Sequence, residues 1–173
     1  MKGTSPTAET VKEVHELIFS KALVNAGEFR DQDTPLRQSG EKEKAFSSHD
    51  NIKKDLDNNS EKTRNLTEIK ERDELTKKLA EFHAGIMAIH PFRDIGNSTI
   101  INRTVAAALT EGQLTHCVKG IKHEIDGEKY HKAIHECLQT GFIDPLQKII
   151  KDVANVIDIK KGHDRGPSGG HEY

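Results

Sequence analysis

Within one short stretch, His90-Pro91-Phe92-Arg93-Asp94-Ile95-Gly96-Asn97-Ser98, the chain sets a titratable imidazole, a carboxylate and a Gly-Asn turn ahead of a helix-initiating hydroxyl. Each group has a distinct use. A histidine with an ordinary pKa near neutrality accepts a proton from an attacking hydroxyl. Backbone N–H groups at a helix start converge on an anion where a glycine permits the turn, and phosphate is their natural guest. Asp94 beside such a cradle would repel phosphate unless a divalent cation lies between them, and Mg²⁺ favours this mixture of carboxylate and phosphate oxygens. Base (His90), metal ligand (Asp94) and cradle (Gly96, Asn97, Ser98) together equip the stretch to move a phosphoryl or nucleotidyl group.

These groups need a frame, and the flanking periodicity supplies it. Leu75, Leu79, Phe82, Ile86 and Ile89 recur at three or four residues, marking one buried face of a helix from Glu68 to Ile89. Pro91 ends that helix and leaves His90 projecting from a corner. A second helix is expected from Asn97 or Ser98 through Ile100, Ile101, Val105, Ala108 and Leu109 to Gly112. Val11, Val14, Leu17, Ile18 and Ala22 mark an earlier helix, with Asn25-Ala26-Gly27 as its stop. Two later ones are expected at Lys129–Leu138, facing inward with Tyr130, Ile134 and Leu138, and at Pro145–Ile157. Residues 27–65 carry many charges and few large apolar side chains, and read as an irregular loop or hairpin near Phe29–Gly40 followed by a solvated polar segment. The elements sum to an all-α fold in one domain over 10–158, with a short lead at 1–9 and a Gly-rich tail at 159–173.

Composition narrows the function. The chain has 173 residues and a formal net charge of −2, without the basic excess of a nucleic-acid binder. Its apolar runs are too short for a membrane span, and no apolar leader follows Met1. Cys117 and Cys137 are a poor disulfide framework and suit a reducing compartment. A rival site lies at His131 and His135, four apart on a helix, with His116 or Cys117 as distant further zinc ligands; no HExxH glutamate accompanies them, and exposed helix histidines are the better reading.

The run HPFRDIGNSTIINR, His90 to Arg103, resembles the Fic motif HPFx(D/E)GNGRxxR. Upstream, His15-Glu16-Leu17-Ile18-Phe19 and Asn25-Ala26-Gly27-Glu28-Phe29-Arg30-Asp31 are similar to that family's helix and its "AGxYR" turn, which precedes a target-positioning flap. The resemblance, spanning about residues 10–155, implies an all-helical Fic domain with a short β-hairpin flap at Thr34–Phe46. It implies transfer of AMP from Mg²⁺-ATP to a Ser, Thr or Tyr hydroxyl of a target protein, in the manner of a bacterial effector or toxin. Residue by residue, His90 would be the general base, Phe92 the core anchor, Asp94 the Mg²⁺ ligand, and Gly96 and Asn97 part of the phosphate-binding loop.

This chain departs from the pattern after Asp94. Ile95 is an added residue, Ser98 replaces the second glycine, and Thr99 stands where the first phosphate-binding arginine belongs. Arg103 lies one residue beyond the final arginine's place, a rotation of about 100° on a helix. Gly96, Asn97, Ser98, Thr99 and Arg103 are therefore the candidate nucleotide-binding set, with weakened activity or an altered donor as the consequence. A catalytically silent interaction module on the same fold is the alternative. No convincing copy of the family's inhibitory (S/T)xxxE(G/N) helix is present: Ser5 to Glu9 comes nearest, but Thr10 fills its final place. Restraint would then come from a separate antitoxin-like chain, and the protein would act in the cytoplasm or be delivered into a host cell.

Overall fold

The computed structural model describes residues 6–34, 46–93, 96–97, 104 and 127–152, and among these the regular elements are helices. The first helix, α1 (Ala8–Phe19), starts inside the expected lead. The Thr7 hydroxyl accepts from Thr10 N–H at 3.4 Å, and Glu9 complements the positive end of the helix dipole. Ala8 N–H is in turn bonded to Asp57 Oδ1 at 2.9 Å, which ties this end to the next helix. The inward residues are Ala8, Val11 and His15, whereas Leu17 is 82% exposed. The apolar spacing thus named the helix but misplaced part of its face, because His15 takes the core position through polar and aromatic contacts described below.

The segment read as solvated is instead part of the core. Its helix, α2 (Ile52–Ser60), buries Ile52, Leu56, Asn59 and Ser60, and Leu66 follows on a 3₁₀ turn at Leu66–Glu68. Polar groups enter this core because neighbours satisfy them: Ser60 Oγ donates to Asp57 O at 2.6 Å, and Asn59 Nδ2 donates to Phe82 O at 3.1 Å. Apolar counting could not show this.

The central helix, α3 (Arg72–Ile89), buries Leu75, Leu79, Phe82, Ile86 and Ile89, the whole expected face, together with Thr76, Ala80 and His83. Its start is later than Glu68, and Asp73 and Glu74 occupy its first turn. Against it pack α2 and α4 (Gly127–Thr140), the latter through Ile134, Cys137 and a 2.5 Å hydrogen bond between Tyr130 OH and His83 Nε2. Burial lowers the His83 pKa to about 4 and pushes that of Tyr130 up, so both are neutral near pH 7. Residues 144–152 are helical and seat Leu146 and Ile150 in the same core. The Cys137 thiol is buried, with its pKa raised chiefly by that burial, and donates to Phe142 O at 3.1 Å. Asn97 and Thr104 are helical, as the expected second helix requires; the rest of Ile100–Gly112, Cys117, the tail from 159 and flap residues 35–45 lie outside the described residues. Among the described residues no helix is long and apolar enough to cross a membrane.

The tightest approach of α2 to α3 is at Gly85, where a Cβ would lie 1.9 Å from Asn59 Oδ1. Alanine there would gain about 1 kcal/mol of helix propensity but would displace Asn59 and its bond to Phe82, at a cost of about 1–3 kcal/mol for overpacking plus about 1 for the lost bond. Gly85→Ala is therefore expected to lower the melting temperature, and Gly85→Ala with Asn59→Ala to recover most of the loss, as read by circular dichroism.

Candidate active site

The end of α3 determines the site. With Pro91 next, His90 cannot continue the helix; it takes a left-handed conformation (φ 50°, ψ 63°), which for a non-glycine residue costs about 1–2 kcal/mol. Arg30 holds the corner. Its Nε donates to His90 O at 2.8 Å, one terminal nitrogen to Ile89 O at 3.0 Å and to Ser47 O, and the other to Gln32 O at 2.9 Å, while its own N–H donates to Pro91 O at 2.9 Å. Hydrogen bonds from a charged donor contribute about 1.5–3 kcal/mol each, so one of them offsets the strain at His90. Arg30 is 4% exposed, and burial pulls its pKa down, partly countered by Asp33.

Beyond the corner, Phe92 is buried and fixes the loop. Its ring stacks on His15 with centroids 3.7 Å apart and planes at 10°, and tilts against Phe29 at 5.6 Å. His15 Nδ1 accepts from Gly27 N–H at 2.9 Å, leaving the proton of the neutral ring on Nε2. The Phe92 backbone is clamped on both sides by one side chain: Phe92 N–H donates to Asn97 Oδ1 and Asn97 Nδ2 donates to Phe92 O, each at 2.9 Å. Gly96 fits beneath α1 with φ 103°, where a Cβ would come within 2.5 Å of the Phe19 ring and 2.9 Å of His15. Only glycine satisfies both the angle and the space.

The His90 imidazole is half-buried, lies parallel to the Phe46 ring (4.3 Å, 13°), and has Nε2 3.5 Å from Asn97 Nδ2, the outer limit of a hydrogen bond. Its pKa is lowered, first by burial and then by the charge of Arg30. The ring is neutral near pH 7 and able to accept a proton.

The chain is held on both sides of residues 35–45. Besides Arg30 on Gln32 O and Ser47 O, Ser47 N–H donates to Ala88 O at 3.2 Å. Asp33 Oδ1 accepts from both His49 N–H and His49 Nδ1 at 2.8 Å, and His49 Nε2 faces Asp50 at 3.2 Å.

Of the expected site residues, His90, Phe92, Gly96 and Asn97 meet at one corner; Asp94, Ser98, Thr99 and Arg103 lie outside the described residues. The side-chain amide of Asn97 is occupied by Phe92, so a contribution to anion binding would come from its backbone. Sequence reasoning did not give site roles to Arg30, His15 or Phe46. The upstream AGEFR turn was the available signal for Arg30, while nothing local marked Phe46. His131 and His135 lie on the exposed side of α4, and no group of three potential metal ligands occurs among the described residues.

The Fic/DOC family model matches residues 5–109. The structure of BepC, a VirB-translocated effector protein of Bartonella tribocorum with bound AMPPNP, is similar with a TM-score of 0.70 at 20% identity, over 88% of this chain and 77% of that one. The N-terminal Fic domain of a VirB-translocated Bep effector from Bartonella quintana gives 0.68 at 18% identity, over 95% and 80%. A Fic family protein of Desulfovibrio desulfuricans G20 gives 0.67 at 14% identity over 95% of this chain, which spans 50% of that one. None of the curated proteins matches the sequence.

The Asp33–His49 clasp has a definite pH window. Hydrogen bonding to Asp33 raises the His49 pKa, so that contribution is complete below the ordinary histidine value of about 6.5 and is lost as pH rises through the raised one. The backbone and then the side-chain bond from His49 lower the Asp33 pKa, so its contribution is present above about 4 and is lost as pH falls through the lowered value. The Asp33–His49 contact should be firmest between those limits. In an NMR titration the His49 midpoint should lie above the ordinary value and fall in Asp33→Asn; an unmoved midpoint would reject the clasp.

Proposed function

The chain belongs to the Fic/DOC family, and we propose that it is a protein adenylyltransferase in which His90 accepts the proton of a target hydroxyl. The observation carrying this reading is the state of His90: neutral, half-buried, and fixed between Phe46, Asn97 and the Arg30-held corner. The hydroxyl oxygen of a target Ser, Thr or Tyr attacks the α-phosphorus of ATP. A new P–O bond forms, the bond to the bridging oxygen breaks, pyrophosphate leaves, and the hydroxyl proton passes to the imidazole. The bound AMPPNP of BepC supports a nucleoside triphosphate donor.

Mg²⁺ would neutralise charge on the donor phosphates when bound. One carboxylate plus donor oxygens and waters suffices for this ion, so a dedicated three-ligand cluster is not required. Asp94 is the carboxylate we assign to it. Gly96, with its positive φ, and the backbone of Asn97 and Ser98 would face the phosphates. Thr99 in place of an arginine removes one charged contact of about 1.5–3 kcal/mol, equivalent to roughly ten- to a hundredfold in rate, which slows transfer without abolishing it. Arg103 would supply part of the lost charge. The flap would align the target as an added strand, as in other strand-addition complexes. A separate antitoxin-like chain would restrain the enzyme, and delivery into a host cell would follow the VirB-translocated Bep proteins it resembles.

Mass-tagged ATP and Mg²⁺ incubated with the protein and a cell lysate should label a target hydroxyl, and His90→Ala should lose the label. Asp94→Ala should remove the Mg²⁺-dependent rise in melting temperature caused by ATP, which at a hundredfold excess over Kd corresponds to about 2.7 kcal/mol in the unchanged protein. Absence of both labelling and any nucleotide-dependent thermal shift would favour the silent interaction module instead.

A further inference from the structure

The imidazole is oriented by a residue outside the motif. Phe46 closes the flap segment on its C-terminal side and lies half-buried with its ring parallel to His90 at 4.3 Å. The next residue, Ser47, is fixed at both backbone groups: its carbonyl accepts from Arg30, and its N–H donates to Ala88 O on the last turn of α3. The position of the Phe46 Cα is therefore set by the same guanidinium that holds the His90 carbonyl. Flap stem and base share one rigid joint.

We propose that Phe46 is a positioning residue for His90, fixing the plane of the imidazole and shielding one face from water. The inference rests on His90 being the base. A planar ring stacked on one face opposes tilting of the imidazole toward that side and favours the plane in which Nε2 lies near Asn97. Loss of the Phe46 ring would then alter the direction in which the accepting nitrogen points; misplacement by about 1 Å costs roughly a hundredfold in rate. Among the described residues the charged group facing His90 is Arg30, whose charge and backbone bonds are independent of the Phe46 side chain.

The test compares Phe46→Ala, Phe46→Leu and Phe46→Tyr with the unchanged protein, using the NMR titration of the His90 ring and AMP transfer to target. In Phe46→Ala the titration midpoint should move up toward the ordinary histidine value, since exposure favours the charged ring, the upfield ring-current shift of the His90 protons should vanish, and kcat should fall about ten- to a hundredfold. Phe46→Leu retains apolar bulk and guards against a folding defect; it should still lose the ring-current shift and most of the rate. Phe46→Tyr should restore both. An unmoved His90 midpoint and ring shift in a folded Phe46→Ala protein would overturn the proposal, as would Phe46→Leu matching the unchanged protein. The spectroscopic comparison needs no turnover: an unchanged protein that transfers no AMP would reject the adenylyltransferase reading while still deciding what Phe46 does to the ring.

Discussion

A single buried guanidinium sets the geometry on which the site depends. Arg30 donates to the carbonyls of Ile89 and His90 at the end of α3 and to those of Gln32 and Ser47 on either side of residues 35–45. A helix end leaves unpaired carbonyls that must be satisfied, and the Pro91 ring denies this one the usual continuation. Five fixed donors in a planar fork suit that task better than a flexible ammonium. The consequence is a strained left-handed histidine at a defined place, joined through the same side chain to Gln32 and Ser47.

The corner is closed from the other side by aromatic packing. His15 and Phe29 enclose Phe92, and Asn97 bonds both backbone groups of Phe92, which holds these two residues side by side. His15 belongs to α1, which is itself tied to α2 through Ala8 N–H and Asp57. Core and site are thus one network: the helix that seems remote from the chemistry supplies the surface on which Gly96 and Phe92 rest.

The sequence showed the corner clearly, and showed what surrounds it less well. The inward face of α3 was legible because its apolar side chains recur at the helical period and all of Leu75, Leu79, Phe82, Ile86 and Ile89 are buried. The helix Ile52–Ser60 was not, since Lys53, Lys54, Asp55, Asp57 and Asn58 outnumber Ile52 and Leu56, and the burial of Asn59 and Ser60 depends on hydrogen bonds that hydropathy cannot register. Leu17 was given the place that His15 fills, because stacking on Phe92 and a bond from Gly27 decide that face. Arg30 and Phe46 act on residues far along the chain and show no periodicity, so their roles emerge only in three dimensions.

Retention of Gly96 and Asn97 in an altered motif has a structural explanation that is separate from phosphate binding. Gly96 is required by its positive φ and by the Phe19 and His15 rings above it, while the Asn97 amide is required by the Phe92 backbone. Both residues would be needed to build this corner whatever donor it served. Among the described residues the contacts that place His90 come from Arg30, Phe46 and Asn97, so the corner that requires Gly96 and Asn97 also sets the position of this ring.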